Sequence, residues 1–357
     1  MMNQATVPET TAKRPGVGMV IAAIGVTALA VFLFLRWREL GFRWEEFAST
    51  FRNLHWSWLV AGGIFALLTY FGRALRWRVL LAPLRSSPSL WNLFSATAIG
   101  FTAIVLFGRA GELVRPYLIS LKEEVPFSTQ VAAWVVERIY DLLTTLLLFG
   151  IALSRIHTSG IDIGTRLEWV LRGGGYAAGA VASAALVILV GFGRFGGHMR
   201  RRLLDALAFL PERLLRKARD AVCSFASATE CTGRWAVVLQ LVFYSLLEWL
   251  LIIACYVCLL RAVPATASLQ LTDAIILVGF TAFGAVIQVP GIGGGTQVVA
   301  VIILTELYRI PLEASSSIAI LIWAVTFVVI VPVGLFLAFH EGLNWKKLSK
   351  IRREANR

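Results

Sequence analysis

Long uninterrupted apolar runs constrain this chain more than any other feature. They lie at 16–35, 56–81, 127–153, 173–192, 234–260 and 315–339. Each is near or above the ~20 residues that cross a bilayer as a helix. In hydrocarbon every backbone N–H and C=O must be satisfied inside the chain, so only helices and closed barrels can span. The runs are continuous rather than alternating, which excludes a barrel. Hydrophobic residues make up 58% of the 357 and charged residues 15%, outside the ordinary globular range. The prediction is an all-α integral membrane protein, a polytopic helical bundle with little left for a soluble domain.

Charge then sets the domain scheme. Residues 1–15 are polar and end in Lys13-Arg14-Pro15, which reads as a disordered cytoplasmic N-terminus. The run 16–35 is too long for the core of a signal peptide and leads into Arg36-Trp37-Arg38-Glu39, so it reads as a retained anchor. Residues 36–53 are rich in Trp and Arg and are expected to lie in the interface. Residues 16–340 form a single membrane domain. Within it, 194–234 is a basic cytoplasmic loop with nine Arg or Lys against four acids. Residues 341–357 are a basic cytoplasmic tail. The net charge of +13 follows the positive-inside rule. No nucleic-acid motif accompanies it, so nucleic acid is not an expected partner.

Two shorter apolar pieces do not read as crossings. Residues 90–106 contain Gly100 and small polar residues, then run straight into Gly108-Arg109-Ala110-Gly111-Glu112. A crossing would leave this motif outside, so a hairpin that enters and returns on the cytoplasmic side is predicted. Residues 272–289 and 298–308 flank a glycine-rich break. Its marked positions are Gln288, Pro290, Gly291, Gly293, Gly294 and Gln297. Irregular backbone at membrane depth survives only when buried in protein or facing water. Six full spans place both termini on the cytoplasmic side of the cell inner membrane. The two re-entrant hairpins then open to opposite sides, the arrangement of an inverted repeat.

Charged residues at membrane depth are the candidates for function. Each costs on the order of 2.5–3.5 kcal/mol on insertion scales, so it persists only when paired, hydrated or used. Arg109, Glu112 and Arg115 follow at three-residue spacing and would form a slanting strip on a helix. Glu137 and Asp141 are four apart on one face, with Arg138 beside Asp141. Glu248 sits mid-run. Arg73 and Arg76, three apart, share a face at the end of the second span and could clamp a phosphate. A snorkelling anchor explains the same pair without a ligand. Likewise, the acids and arginines could balance one another as an internal lattice.

Other chemistry lacks its motif. Cys255 and Cys258 are two residues apart in an apolar run with no second pair and no nearby His, whereas zinc takes about four ligands. No nucleotide, metal or serine-nucleophile motif is present, so no cofactor is predicted.

The residues Gly108-Arg109-Ala110-Gly111-Glu112 with Arg115, then Glu137-Arg138 and Asp141, resemble the signature of the lysylphosphatidylglycerol synthetase membrane-domain family of flippase-like proteins. Arg73, Arg76 and Trp77, and the break Pro290-Gly291-Ile292-Gly293-Gly294, are similar to two further family motifs. The resemblance covers roughly residues 15–340. It implies a helical bundle with re-entrant hairpins that moves lipids between leaflets. Members with a C-terminal aminoacyl-transferase domain also make the aminoacylated lipid. This chain ends at Arg357 and is expected to lack that activity. Two positions depart from the pattern. Phe107 stands where many members have proline, and Gln297 stands where many have an acid, so the resemblance supplies no titratable group there.

The leading expectation is a non-enzymatic translocator of membrane lipid. Its cargo would be a phospholipid or lipid-linked intermediate with an anionic phosphate, met by Arg73, Arg76, Arg109 or Arg115. Glu112, Glu137, Arg138, Asp141 and Glu248 would form a polar network around it. Alternatives are a membrane enzyme or accessory subunit in envelope lipid or glycan synthesis, and a small-solute or ion-coupled carrier. The oligomeric state is left open.

Overall fold

The computed structural model describes residues 42–82, 84–155, 180, 183, 235–285, 288–289 and 293–342. The expected span at 16–35, and that at 173–192 apart from residues 180 and 183, lie outside the described residues. So do the N-terminus 1–15, the basic loop 194–234, nearly all of the tail, and Pro290 and Gly291 of the break.

In chain order the described helices are α1 (Trp44–Arg52), α2 (Trp56–Leu81), α3 (Leu90–Phe107), α4 (Val114–Glu123), α5 (Phe127–Arg155), α6 (Trp235–Ala262), α7 (Leu271–Gly284), α8 (Gly295–Ile302), α9 (Leu312–Trp323) and α10 (Ile330–His340). A 3₁₀ segment, Gly108–Leu113, joins α3 to α4. Among the described residues, four helical stretches are long and apolar enough to cross a membrane: Trp56–Leu81, Leu90–Phe107, Leu239–Ala262 and Leu312–His340. The protein is an all-α integral membrane protein.

The spine is an antiparallel pair, α2 against α6. Gly62 allows the approach, because a Cβ there would rest 3.5 Å from Cys258 Cβ and 3.6 Å from Cys255 O. Cys255 and Cys258 are buried thiols of this packing. At one end of the pair His55 N donates to Ala262 O over 2.9 Å. That end is also where α7 starts, with Asp273 Oδ2 accepting from Gln270 N at 2.7 Å, a reach-back that caps the helix.

Helices α3 and α4 form a hairpin based at the opposite end. Its cross-pairs close toward the turn: Asn92 Nδ2 to Glu123 Oε1 at 2.7 Å, Lys122 Nζ to Ser95 Oγ at 2.7 Å, then Gly100 against Arg115 and Ala103 against Gly111. The last two contacts require glycine. A Cβ on Gly100 would lie 2.5 Å from Arg115 Cβ, and one on Gly111 would enter the Ala103 carbonyl. Gly108 ends α3 at φ 65, a conformation in which L side chains are strained.

Helices α7 and α8 form the second hairpin. Gly284 and Gly295 lie backbone to backbone, a Cβ on Gly284 falling 2.5 Å from Gly295 O. Beyond them Gln288–Val289 pairs antiparallel with Gly293–Gly294. The two hairpins thus start from opposite ends of the α2–α6 pair. Their turns meet, with the Gly108–Leu113 segment against Gln288–Val289.

The C-terminal stretch departs from regular α geometry near a proline. Pro332 has no N–H to give the carbonyl four residues earlier. The chain widens into a π segment over Ala324–Val328 just before it, the usual relief for a broken ladder. Tyr70 Oη takes up the Thr326 carbonyl at 2.6 Å. Among the described residues two larger apolar cores form, with a small third around Leu153 and Ile276. One gathers Tyr70, Trp77, Leu93, Ile99, Leu118 and Leu337. The other gathers Ala66, Ile253, Leu259, Leu277, Leu304 and Ile322.

Candidate functional site

Both larger cores draw on α2, and a charged cluster gathers at its C-terminal half. Arg73 and Arg76 stand one turn apart on α2. Glu137 and Asp141 stand one turn apart on α5, and Glu248 faces them from α6. Arg115 joins from the first turn of α4. Three inner guanidiniums meet three carboxylates, and a fourth, Arg138, reaches Asp141 from the exposed edge. Arg76, Arg115, Glu137 and Glu248 are each at most 3% exposed.

Glu137 is the hub. Its Oε1 accepts from Arg76 Nη2 at 2.6 Å and from Arg115 Nη1 and Nη2 at 3.2 and 3.1 Å. Its Oε2 accepts from Trp77 Nε1 at 2.7 Å. Arg76 Nη1 also donates to Asp141 Oδ1 at 2.7 Å and to Ser245 Oγ at 3.1 Å. Arg73 Nη2 contacts Glu248 Oε1. Glu248 Oε2 lies 3.4 Å from Arg76 Nη1. Arg138, on the outer face of α5, reaches Asp141 Oδ2 at 3.5 Å.

Aromatic rings hold the guanidinium planes. Arg115 Cζ lies 4.5 Å from the Trp77 ring centroid and Arg73 Cζ 4.9 Å from that of Phe101. Such cation–π contacts strengthen when desolvated. Hydrogen-bonding capacity is left over: Arg73 Nη1, Arg76 Nε and Arg115 Nε have no hydrogen-bond partner among the described residues. Arg73 Nη1 is 3.6 Å from Asp141 Oδ2 and 3.9 Å from Glu137 Oε1, too far for a hydrogen bond. A buried donor without a partner costs about 1–3 kcal/mol. A phosphate oxygen is the kind of acceptor these nitrogens suit.

The strip expected from Arg109, Glu112 and Arg115 is not formed. The three do not share one helix, because the chain runs as 3₁₀ through Leu113 and becomes α-helical at Val114. Arg109 is therefore exposed, Glu112 half-buried and Arg115 buried. The partners of Glu137 and Asp141 come from α2 and α4 as well as from neighbouring Arg138. At the break, Gln297 Oε1 accepts from the Gly294 N–H and caps α8. Gln288 pairs with Gly294 and Val289 with Gly293.

Sequence reasoning missed a second polar network at the base of the α3–α4 hairpin. Arg85 Nε pairs with Glu123 Oε2 at 3.2 Å, and Lys122 Nζ pairs with Glu341 Oε1. Ser95 Oγ donates to the same Glu341 oxygen. Ser245 was also missed. Its three-residue spacing from Glu248 places both on one face of α6 and was the available signal.

Residues 20–334 match the family described as "Lysylphosphatidylglycerol synthase TM region". A curated protein of Haloferax volcanii named "Glycosyltransferase AglD" is 28% identical over 173 residues, covering 47% of this chain and 27% of that protein. The chain therefore spans about a quarter of the length of the curated relative it matches. No solved structure matches significantly. The expectation that the chain is not an enzyme is corrected: the relative's name points toward an enzyme-related family. The matches describe a multi-pass membrane protein related to lipid and glycan pathways.

Proposed function

The chain belongs to the lysylphosphatidylglycerol synthase TM-region family, and from that premise we propose that it carries a phosphate-bearing lipid between membrane leaflets. The cargo is a phospholipid or lipid-linked intermediate, handled as one step of lipid or glycan synthesis. One observation carries this reading. Arg76 is buried and Arg73 half-buried on the helix that packs against the α3–α4 hairpin, with guanidinium nitrogens left over.

In the proposed arrangement residues 16–340 are one membrane domain of the cell inner membrane. The α3–α4 hairpin is re-entrant from the cytoplasmic side and the α7–α8 hairpin from the other, as halves of an inverted repeat. Both termini, the loop 194–234 and the tail are cytoplasmic. The headgroup passes between the hairpin turns while its acyl tails stay in lipid. Arg109, exposed at the first turn, meets the phosphate before Arg73 and Arg76 do. Glu112, Glu137, Arg138, Asp141 and Arg115 hold the fork in shape.

The experiment is reconstitution into liposomes containing phosphatidylglycerol labelled in its headgroup, with access of an external quencher followed in time. Faster exposure of inner-leaflet label than in protein-free liposomes supports translocation. Equal rates contradict it.

The relative named as a glycosyltransferase favours a second reading. The membrane region then presents a lipid-linked intermediate to glycosyl transfer. Purified protein that turns over a glycosyl donor on a lipid acceptor would show that role.

A further inference from the structure

We infer that Glu248 is the internal anion that a lipid phosphodiester replaces: its carboxylate occupies the Arg73–Arg76 fork and leaves it when a singly charged headgroup binds. This rests on the phosphate-lipid reading above and names its substrate class.

The three acids of the cluster are held in different ways. Glu137 accepts hydrogen bonds on both oxygens from Arg76, Arg115 and Trp77. Asp141 accepts one from Arg76. Glu248 bridges Arg73 and Arg76 as an ion pair, yet neither of its oxygens has a hydrogen-bond partner among the described residues. Its only partners among the described residues are the two guanidiniums of the fork, so it is the acid whose place an anion seated on that fork would take. The fork has other supports besides Glu248. Phe101 supports Arg73, while Glu137, Asp141 and Ser245 support Arg76.

Charge balance selects the ligand. Arg73, Arg76 and Arg115 face Glu137, Asp141 and Glu248, and these inner groups balance; Arg138, which pairs with Asp141 from the edge, is 42% exposed and screened by water. An anion added without exchange would leave a net negative charge buried, which is costly. A phosphodiester carries one charge, the same as the carboxylate it displaces. A phosphomonoester carries roughly −1.5 to −2 at neutral pH and would leave an excess. The displaced Glu248 stays in an apolar helix, so it takes one proton from water as it turns away. One proton therefore enters with each phosphodiester. The charged and titratable groups around this exchange are Tyr70, Arg73 and Arg76 of α2, Glu137, Asp141 and, at the exposed edge, Arg138 of α5, and Arg115 of α4.

The test is equilibrium binding of dioctanoyl phosphatidylglycerol to the full chain in detergent micelles between pH 6 and 8. The wild type gains roughly tenfold in affinity for each pH unit of acidification, the slope of one proton taken up on binding. Glu248→Gln, whose fork carries no competing anion, binds at least about tenfold tighter than wild type at pH 8, with no pH slope. At pH 8 dioctanoyl phosphatidic acid binds more weakly than phosphatidylglycerol. Inorganic phosphate, the lipid-free source of the same chemistry, binds more weakly still. A flat wild-type profile overturns the inference and needs no variant, so a Glu248→Gln protein that fails to fold does not shield it. Equal affinities of the two proteins overturn it as well. If neither protein binds any of the three probes, the phosphate-lipid reading falls too. If both bind phosphatidylglycerol equally, only the exchange falls.

Discussion

Arg76 on α2 and Glu137 on α5 meet across 2.6 Å at a depth where each is 1% exposed, and every other member of the charged cluster is tied to one of these two. Glu137 gathers Arg115 and Trp77. Arg76 gathers Asp141, Ser245 and Glu248.

Removing the hub should therefore be expensive. Glu137→Ala leaves Arg76 and Arg115 buried without their main carboxylate, a loss of about 3–5 kcal/mol. Arg138→Ala changes stability by no more than about 0.5 kcal/mol, since its pair with Asp141 is at the exposed edge. Thermal unfolding of the detergent-solubilised protein checks both. Equal effects would mean that the cluster is not organised around Glu137.

Trp77 separates hydrogen bonding from packing. Trp77→Phe keeps an aromatic ring under Arg115 but removes the donor to Glu137 Oε2. A hydrogen bond to a charged group contributes about 1.5–3 kcal/mol, and a loss of that size is expected by the same unfolding measurement. Trp77→Leu, which also removes the cation–π contact, should cost more.

The hairpin closure gives a steric prediction. Gly100→Ala drives a Cβ to 2.5 Å from Arg115 Cβ and 3.1 Å from its Cα. Overpacking of this kind costs about 1–3 kcal/mol, and here it also shifts Arg115 off Trp77. Gly63 is the control, because a Cβ there meets nothing within 4 Å. Gly63→Ala should be neutral or stabilising by up to about 1 kcal/mol through helix propensity.

At the hairpin base, Lys122 and Glu341 are 17% and 23% exposed at their side chains. A double-mutant cycle with Lys122→Ala and Glu341→Ala should give a coupling of about 0.2–1 kcal/mol that weakens in high salt. A coupling unaffected by salt would contradict a water-screened pair.

Periodicity and composition made much of the fold legible. The run 56–81 became α2 with the same ends, 90–106 became Leu90–Phe107, and 127–153 became Phe127–Arg155. Apolar runs are local signals, and membrane helices are set by local hydrogen bonding. The partners in the charged cluster were not legible, because they are joined across |i−j| separations of 61, 65 and 169. Three-residue spacing suggested a strip from Arg109 to Arg115. The spacing was right, but the assumed α-helix was not, since the chain passes through 3₁₀ geometry before Val114. Gly100 was visible as a small residue. Its role against Arg115 depends on how sharply the chain turns at Gly108 and Gly111.

The central claim is that the Arg73–Arg76 fork contacts a lipid phosphate as the headgroup crosses. Arg73 is the arm to change, because its side chain is 14% exposed and held mainly by Glu248 and Phe101. Arg73→Lys keeps the charge but loses the planar fork that fits phosphate. The deciding measurement is the rate at which headgroup-labelled phosphatidylglycerol becomes accessible in proteoliposomes, wild type against Arg73→Lys, at matched thermal stability. The account predicts wild-type rates above protein-free liposomes and at least about a tenfold loss in the variant, the equivalent of one missing contact of about 1.4 kcal/mol. A folded Arg73→Lys protein that moves lipid at the wild-type rate would contradict it.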